Sequence, residues 1–396
     1  MADYSVRKGI AQIDDYAVET VTADIIVNAN ENNFPMPDVV AEAICAKTAG
    51  FPFNRYPPVK AEILSDVIAD ALELDPSCVR IGNGSAELLR LACYAFGGLG
   101  KKIAVPFPSF SMYSEFAVLS DSDTVRYPLT EEGFLDADLL LDFCEQEKPD
   151  VLIICNPNNP TGNYNPLSVI EKIAANVECP ILLDEAYIEF ADGSEVPPGD
   201  MRPLNKLWLV AGSGVCLLPK YGNLVVFRTF SKAYGLAGLR CGYAAGSIGL
   251  MRQLGKAFLP YHVGSYTLMA AKTVYDNKQL YKEQFKLIRQ EREKMSAYLE
   301  KLGFMVYPSG ANFVCCKAMG ELIPKLAEKY TLQYDEVLQE QVAAGKYIFR
   351  YLLDNGILVA DFTNQPALEG CLRISIGTPE ENNIILAKLT ELVAGL

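Results

Sequence analysis

Short apolar runs alternate with helical segments through the first two thirds of this 396-residue chain, and this alternation limits its fold more than any other feature. Several runs are apolar at every position instead of every second one, as in strands covered on both faces. Strands that alternate with helices predict an α/β fold, with a mostly parallel sheet flanked by helices. The strand-like runs are Lys102–Val105, Thr124–Tyr127, Val151–Cys155, Ile181–Leu183, Leu224–Phe227 and Gly242–Ala245, and the clearest helix is Ala86–Phe96.

The pattern changes after about residue 260 and predicts a smaller α+β domain. Residues Tyr330–Ala344 are polar and helix-prone, and we interpret them as an excursion between elements. The elements predicted here are a long helix over Gln279–Leu302, strands at Phe304–Tyr307, Asn312–Cys316 and Leu372–Ile376, and a last helix from about Glu380.

Composition excludes several classes of function. The formal charge of −14 argues against a nucleic-acid partner, since no basic face is apparent, and no apolar run is long enough to span a membrane. Eleven cysteines, an odd number that includes the adjacent Cys315 and Cys316, indicate reduced thiols and show no metal-ligand spacing. His262 is the only histidine, which disfavours Ser-His and Cys-His catalysis and zinc binding. The acidic N-terminal stretch does not resemble an export signal, so we expect a cytoplasmic protein without a metal.

A single lysine, Lys232, lies between the apolar run Leu224–Phe227 and a glycine-rich turn in "FRTFSKAYGLAGLRCGYA" (227–244). A surface lysine at a strand end is the simpler interpretation. The alternative is an amine placed at the rim of a sheet, where it can form a Schiff base. Two further strand ends favour the second interpretation, because "CNPNNPTGNY" (155–164) and "ILLDEAYIEF" (181–190) place Asn159 and Asp184 at the same rim.

The segment "RIGNGSAELL" (80–89) predicts a strand end, a turn and a helix whose first backbone N–H groups, at Ser85 and Ala86, favour a phosphate. Taken alone, it fits equally well a plain turn in which Ser85 caps the helix. Arg240, eight positions after Lys232, would meet the same phosphate together with Ser231 and Thr229.

An amine, a carboxylate, an amide and a phosphate cradle are together what pyridoxal phosphate requires. Lys232 would hold its aldehyde as an imine, and Asp184 would keep the pyridine nitrogen protonated. Tyr187 and Asn159 would donate hydrogen bonds to the phenolate oxygen of the ring. Phe110 in "PSFSMY" (108–113) would stack on the ring.

At this point the chain resembles the fold-type I pyridoxal-phosphate aminotransferases, and most closely the histidinol-phosphate aminotransferase family. The matching pieces occur in the order of the family and span nearly the whole chain. They are "NANEN" (28–32), "NRYP" (54–57), "GNGSAELL" (82–89), "PNNPTG" (157–162), "DEAYIEF" (184–190), "SKAYGLAGLRCGY" (231–243) and "LRISIGTPEEN" (372–382).

The resemblance implies a homodimer with a shared active site, in which Tyr56 reaches the neighbouring subunit's cofactor phosphate. It also implies an N-terminal arm (1–48) that contributes to the small domain and the dimer interface, a large cofactor-binding domain (49–262) and a small domain (263–396). Lys232, Asp184 and Tyr187 are then the expected catalytic group. Arg373, Asn30 and His262 are expected to contact the substrate, although a packed histidine is an equal alternative for the last.

Departures from the family pattern concern the substrate. In "GILVADF" (356–362), Ala360 stands where the family carries an arginine that helps to hold the substrate phosphate. A glycine after the "NEN" motif is missing, and the stretches 196–221 and 319–346 are longer than usual. Arg202 or a lysine from an inserted stretch could replace the missing charge.

We therefore expect amino transfer between histidinol phosphate, or a related or aromatic L-amino acid, and 2-oxoglutarate by a ping-pong mechanism. A threonine-phosphate decarboxylase shares the cofactor residues and is the alternative. A regulator on the same fold would need a basic DNA-binding domain, and a dehydrogenase would need a dinucleotide fingerprint; neither is found.

Overall fold

Two β-sheets organise the part of the chain that the computed structural model describes, namely residues 6–7, 9–13, 22–191, 212–334 and 336–396. The strands are β1 (Ile25–Val27), β2 (Val79–Gly82), β3 (Lys102–Phe107), β4 (Asp123–Pro128), β5 (Val151–Cys155), β6 (Ile181–Asp184), β7 (Leu224–Thr229), β8 (Gly242–Gly246), β9 (Phe304–Val306), β10 (Phe313–Ala318), β11 (Ile357–Asp361) and β12 (Leu372–Ser375). The helices are α1 (Asp38–Thr48), α2 (Glu62–Leu72), α3 (Ser85–Phe96), α4 (Met112–Leu119), α5 (Ala137–Glu147), α6 (Leu167–Asn176), α7 (Ile248–Leu254), α8 (Ser265–Asp276), α9 (Lys282–Lys301), α10 (Leu322–Tyr334), α11 (Glu340–Asp354) and α12 (Pro379–Ala394).

The larger sheet has the strand order β2-β8-β7-β6-β5-β3-β4 within the described residues. Strands β4, β3, β5, β6 and β7 are mutually parallel, whereas β8 is antiparallel to both β7 and β2. The predicted α/β fold with a mostly parallel sheet is confirmed. The carboxyl ends of these parallel strands, and of β2, lie at one edge of the sheet.

Helices cover both faces of the larger sheet, which explains why every residue of β5, β6 and β7 is buried. On one face, Leu182 packs in a cluster with Phe116 of α4, and on the other Leu183 packs with Ile170 of α6. Because side chains alternate along a strand, Asp184 at the end of β6 lies on the same face as Leu182.

The smaller sheet has the order β1-β11-β12-β10-β9 within the described residues. Strand β1 is parallel to β11, with Ile25 opposite Ile357, and the other neighbours are antiparallel. A capping box between Thr378 and Glu381 starts α12 directly after β12. The boundaries proposed for the arm, the large domain and the small domain stay predictions.

One local interpretation was wrong. Residues Tyr330–Ala344 are not a simple excursion, because they include the end of α10 and the start of α11. The two helices contact each other through a cation–π pair, in which the guanidinium of Arg350 in α11 lies 4.0 Å from the ring centre of Tyr334 in α10. Within the described residues, no helix combines the length and the apolar character needed to cross a bilayer.

Candidate active site

A cradle of backbone N–H groups lies where α3 begins. Ser85 is the first residue of α3, and Gly84 before it has a φ of +87°. A Cβ on Gly242 would lie 2.7 Å from the backbone N of Ser85, and one on Gly84 would lie 2.8 Å from Nη2 of Arg240. Glycine at these two positions therefore lets β8, the start of α3 and the Arg240 guanidinium approach one another.

Hydroxyl groups complete the cradle. Nη1 of Arg240 donates to Oγ of Ser231 at 3.1 Å, and Oγ1 of Thr229 donates to the same oxygen at 3.0 Å. With Ser85 and Ala86 at the helix start, the residues predicted to bind phosphate lie in one place. A helix N-terminus, a guanidinium and two hydroxyls form a site suited to a phosphate dianion.

The side chain of Lys232 contacts residues 28–33, a short segment after β1 that touches residues of both sheets and that we call the bridging segment. Its Nζ donates to the carbonyl of Ala29 at 2.6 Å. Burial lowers the pKa of Lys232 to about 8; the positive charge of Arg373 lowers it further, and Glu31 opposes the shift. The free amine is therefore much more populated near neutral pH than in an ordinary lysine.

Asp184 is a buried carboxylate. Its Oδ1 accepts from the backbone N of Ala186 at 3.1 Å, and its Oδ2 accepts from the hydroxyl of Tyr113 at 2.7 Å. Burial raises the pKa of Asp184 to about 6, against the lowering effect of these two hydrogen bonds. Among the residues that the structure describes, no lysine, arginine or histidine forms an ion pair with it. The protonated pyridine nitrogen of pyridoxal phosphate would supply that missing charge, so this carboxylate and the cradle fit the cofactor.

Tyr187, three residues after Asp184, is hydrogen-bonded to the bridging segment. Its hydroxyl accepts from Nδ2 of Asn30 at 3.0 Å, and burial raises its pKa to about 12, so it is protonated at neutral pH. Asn30 is fixed in turn by Oγ of Ser375, at 2.9 Å from its backbone N, and by Nδ2 of Asn312, at 3.1 Å from its carbonyl.

Arg373 extends from the smaller sheet toward the larger one. Nη1 donates to Oδ1 of Asn159 and Nη2 to the carbonyl of Asn28, both at 2.5 Å. The guanidinium also lies 5.3 Å from the ring centres of Phe313 and Phe362. The predicted residues Lys232, Asn159 and Arg373 are thus neighbours.

Ala360 stands directly opposite Arg373 in the β11–β12 pair. Side chains at such positions lie about 4.5–5.5 Å apart at Cβ, so an arginine at position 360 would reach the same space. The helix α11 does not replace it, because Lys346 pairs at 2.6 Å with Asp361, on the opposite face of β11. Arg202 lies outside the described residues.

Tyr113 was missed by sequence reasoning, although it stands in the same hexapeptide as Phe110. Phe110 packs its ring edge-on to Tyr113, with centroids 5.5 Å apart and planes at 89°. The i, i+3 spacing at a helix start was the available signal, since it places two aromatic rings on one face. Stacking of Phe110 on the cofactor ring stays a prediction.

A buried ion-pair cluster, also missed, lies on the other face of the sheet. Oε1 of Glu185 accepts from the backbone N of Gly214 at 2.6 Å, and Oε2 lies 3.5 Å from Arg228. Arg228 pairs more closely with Glu189, at 2.7 Å, and burial raises the pKa of Glu185 to about 7. This cluster ties together the ends of β6 and β7, which carry Asp184 and Thr229.

Two predicted residues contact other surroundings. The ring nitrogens of His262 lie 2.7 Å from the carbonyl of Ile81 and 3.0 Å from that of Leu259, contacts that favour the packed alternative over a substrate contact. Tyr56 is 82% exposed and stacks on Tyr261 at 4.8 Å, so in one chain it points to solvent.

Comparisons with known proteins agree with this geometry. The family model for aminotransferase class I and II matches residues 23–389. A histidinol-phosphate aminotransferase of Thermoanaerobacter pseudethanolicus is 31% identical over 394 residues, which is 99% of this chain and 100% of that protein.

Solved structures share the fold. The histidinol-phosphate aminotransferase of Sinorhizobium meliloti, in complex with pyridoxal-5'-phosphate, matches with a TM-score of 0.81 at 22% identity, over 100% of this chain and 99% of that one. The L-threonine-O-3-phosphate decarboxylase of Porphyromonas gingivalis matches with 0.71 at 20% identity, over 93% and 99%. The expected family is confirmed: the chain belongs to the class I and II aminotransferases, enzymes that use pyridoxal phosphate.

Proposed function

We propose that this aminotransferase moves an amino group from histidinol phosphate, or from a related or aromatic L-amino acid, to 2-oxoglutarate in two half-reactions. The donor leaves as its oxo compound, and 2-oxoglutarate becomes glutamate. The named relatives support the donor class. The observation that carries the proposal is the placement of Arg373, an anion-binding group, beside the amine of Lys232.

The cofactor, when bound, supplies an electron sink for the substrate carbon that loses its proton. Lys232 would move the proton: its Nζ would take the proton from the substrate carbon that bears the amino group and would return it at C4′ of the cofactor. Its lowered pKa, about 8, favours this exchange near neutral pH. Asp184 would hold the protonated ring nitrogen as a carboxylate, and Tyr187 and Asn159 would hold the phenolate oxygen.

Arg373 binds the anionic group of each substrate in turn, the phosphate of histidinol phosphate and a carboxylate of 2-oxoglutarate. Its bonds to Asn159 and Asn28 fix the guanidinium beside residues that would hold the cofactor. With alanine at position 360, only one guanidinium of the described residues serves this role. A donor with a carboxylate is therefore the second candidate, and Ala360 is the observation that favours it.

A steady-state assay tests the function. Glutamate formation from 2-oxoglutarate is measured with histidinol phosphate, with aromatic L-amino acids and with O-phosphothreonine as donors, with CO2 release recorded in parallel. We expect glutamate without CO2, and parallel double-reciprocal lines when both substrates are varied. Release of CO2 from O-phosphothreonine without glutamate contradicts amino transfer and supports the decarboxylase alternative.

We also propose that the enzyme is a homodimer with a shared active site, in which Tyr56 reaches the neighbouring cofactor phosphate. Exposed apolar side chains close in sequence to Tyr56 and Tyr261, which stack on each other, support this, because Phe53 is 69% exposed and Leu259 76% exposed. Light scattering of the purified protein at micromolar concentration should give twice the mass of the chain, and a monomer contradicts the dimer.

A cytoplasmic location is proposed from the thiols. The sequence has eleven cysteines, an odd number that includes the adjacent Cys315 and Cys316, and this pattern suits thiols in a reducing compartment.

A further inference from the structure

The hydroxyl of Tyr113 occupies a position between a carboxylate and a thiol beneath the cofactor site. It donates to Oδ2 of Asp184 at 2.7 Å, and Cys155, directly opposite Asp184 in the β5–β6 pair, also reaches it. Tyr113 is 1% exposed. Water therefore has no access that would let it replace this hydrogen bond.

The other titratable side chains around Asp184 do not donate a hydrogen bond to its carboxylate. Tyr187 faces it from the turn after β6, but its hydroxyl is directed to Asn30. Cys155 faces it from β5, and burial raises the pKa of this thiol to about 12, so it is a weak, neutral donor that lies 3.4 Å from the carbonyl of Pro157. Of the described side chains, Tyr113 alone donates a hydrogen bond to the carboxylate.

We propose that Tyr113 is a positioning residue, whose hydroxyl keeps Asp184 ionised and turns the carboxylate toward the ring nitrogen of the cofactor. This inference rests on the proposed role of Asp184 and names the group that makes the role possible in a buried position. Because its own pKa is raised well above the ordinary value by burial and by the charge of Asp184, Tyr113 stays a donor throughout the pH range of the enzyme.

The sign of the effect follows from the hydrogen bond. Donation to the anion lowers the pKa of Asp184, which burial has raised to about 6. Removing the hydroxyl therefore raises that pKa further, and the carboxyl becomes neutral at a higher pH. A neutral carboxyl loses its attraction for the protonated ring nitrogen, so cofactor affinity falls about tenfold for each pH unit below the new pKa.

The test measures the affinity of the cofactor-free protein for pyridoxal phosphate between pH 5 and 8, by equilibrium dialysis and without any amino donor. Tyr113→Phe should move the acid limb of the affinity profile upward by about one pH unit. Tyr127→Phe is the matched control, because Tyr127 is also 1% exposed and donates at 2.7 Å, but to the carbonyl of Ile153. Equal limbs for the two variants overturn the proposal.

A second variant should shift the acid limb of the affinity profile in the opposite direction. Site-specific 3-fluorotyrosine at position 113 retains the shape of the residue but donates more strongly, and should move the acid limb below that of the natural protein. A limb that moves upward, or not at all, overturns the proposal even if Tyr113→Phe folds poorly. Because no substrate is present, failure here is distinct from failure of the proposed amino transfer.

Discussion

The two walls of the active site are built on different parts of their sheets. The larger sheet contributes its edge: Asp184 and Thr229 are the last residues of β6 and β7, and Lys232 follows in the turn. The smaller sheet contributes a face: Arg373, the second residue of β12, lies opposite Cys315 of β10 and Ala360 of β11.

Because of this difference, the functional side chains of the larger sheet contribute little to packing, whereas those of the smaller sheet contribute to both function and packing. At the edge, the functional side chains stand on the last paired residues of β6 and β7 or in the turn after β7, beyond the apolar residues that form the core of the sheet. On the face, the same side chain serves both purposes, since Arg373 lies between Phe313 and Phe362 while it points to Asn159. We therefore expect edge substitutions to remove activity at little cost in stability, and face substitutions to change both.

The largest effect is expected for Lys232→Ala, at the edge. Loss of the amine removes covalent attachment of the cofactor and its visible absorbance, and turnover should fall by at least about 10⁴-fold. Thermal unfolding of the cofactor-free protein should stay nearly unchanged. Lys220→Ala is the control, because Lys220 pairs with Glu171 at the surface, and a comparable loss there contradicts a specific role for Lys232.

Asp184→Asn is the second edge variant, expected to cost about 10²- to 10³-fold in turnover. The amide has the shape of the carboxylate and can still accept from Tyr113, but it does not stabilise a protonated ring nitrogen. Cofactor should bind less tightly but still load at saturating concentration, as absorbance will show. Near-normal turnover would leave Asp184 with a structural role only, and a large drop in melting temperature would break the contrast between edge and face.

Arg373→Gln tests the face. Losing charge-assisted bonds to the substrate anion costs about 1.5–3 kcal/mol, or about one to two decades in KM for 2-oxoglutarate. Because the guanidinium also packs between two aromatic rings, the free energy of unfolding should fall by about 1–3 kcal/mol. Steady-state kinetics and denaturant unfolding measure the two effects. A change in KM without a change in stability would show that Arg373 contributes as little to packing as the strand-end residues of the larger sheet.

Ala360→Arg should have the smallest effect and the opposite sign. A second guanidinium opposite Arg373 should lower KM for histidinol phosphate by about tenfold without reducing turnover. Ala360→Met is the control, because it adds similar length without charge. If the natural protein already saturates at low micromolar histidinol phosphate and the arginine brings no improvement, Ala360 does not weaken the site.

The fold was predictable because its signal is local. Apolar runs covered on both faces read directly as strands of a parallel sheet, and the structure extends them by a residue or two, to Asp184 in β6 and to Thr229 in β7. The edge wall was predictable for the same reason, since the carboxyl ends of parallel strands must meet.

The remaining contacts depend on how distant segments pack. Tyr113 meets Asp184 because the start of α4, a helix that packs against β3 and β4, brings this side chain within reach of the end of β6, and nothing in the sequence near Asp184 specifies that packing. Glu185 was not singled out in the sequence, because it directly follows Asp184, which has the clearer functional signal. Alternation of side chains at the end of β6 nevertheless places it on the face opposite Asp184. The placement of His262 against the end of β2 likewise requires the three-dimensional path of its loop.

The parallel pairing of β1 with β11 has a consequence for the order of folding. Ile25 finds its partner, Ile357, only after more than three hundred further residues have been synthesised. Strands β2 to β8 lie between them and can form their sheet while the chain is still growing, as domains do during translation. The bridging segment follows β1, and its carbonyls accept hydrogen bonds from Lys232 and Arg373. It can take its final position only after β11 and β12 have been synthesised. A nascent chain can therefore form most of the larger sheet, including the ends of β6 and β7, before its active site is complete. The site is completed only when β1 and the bridging segment pack against β11 and β12.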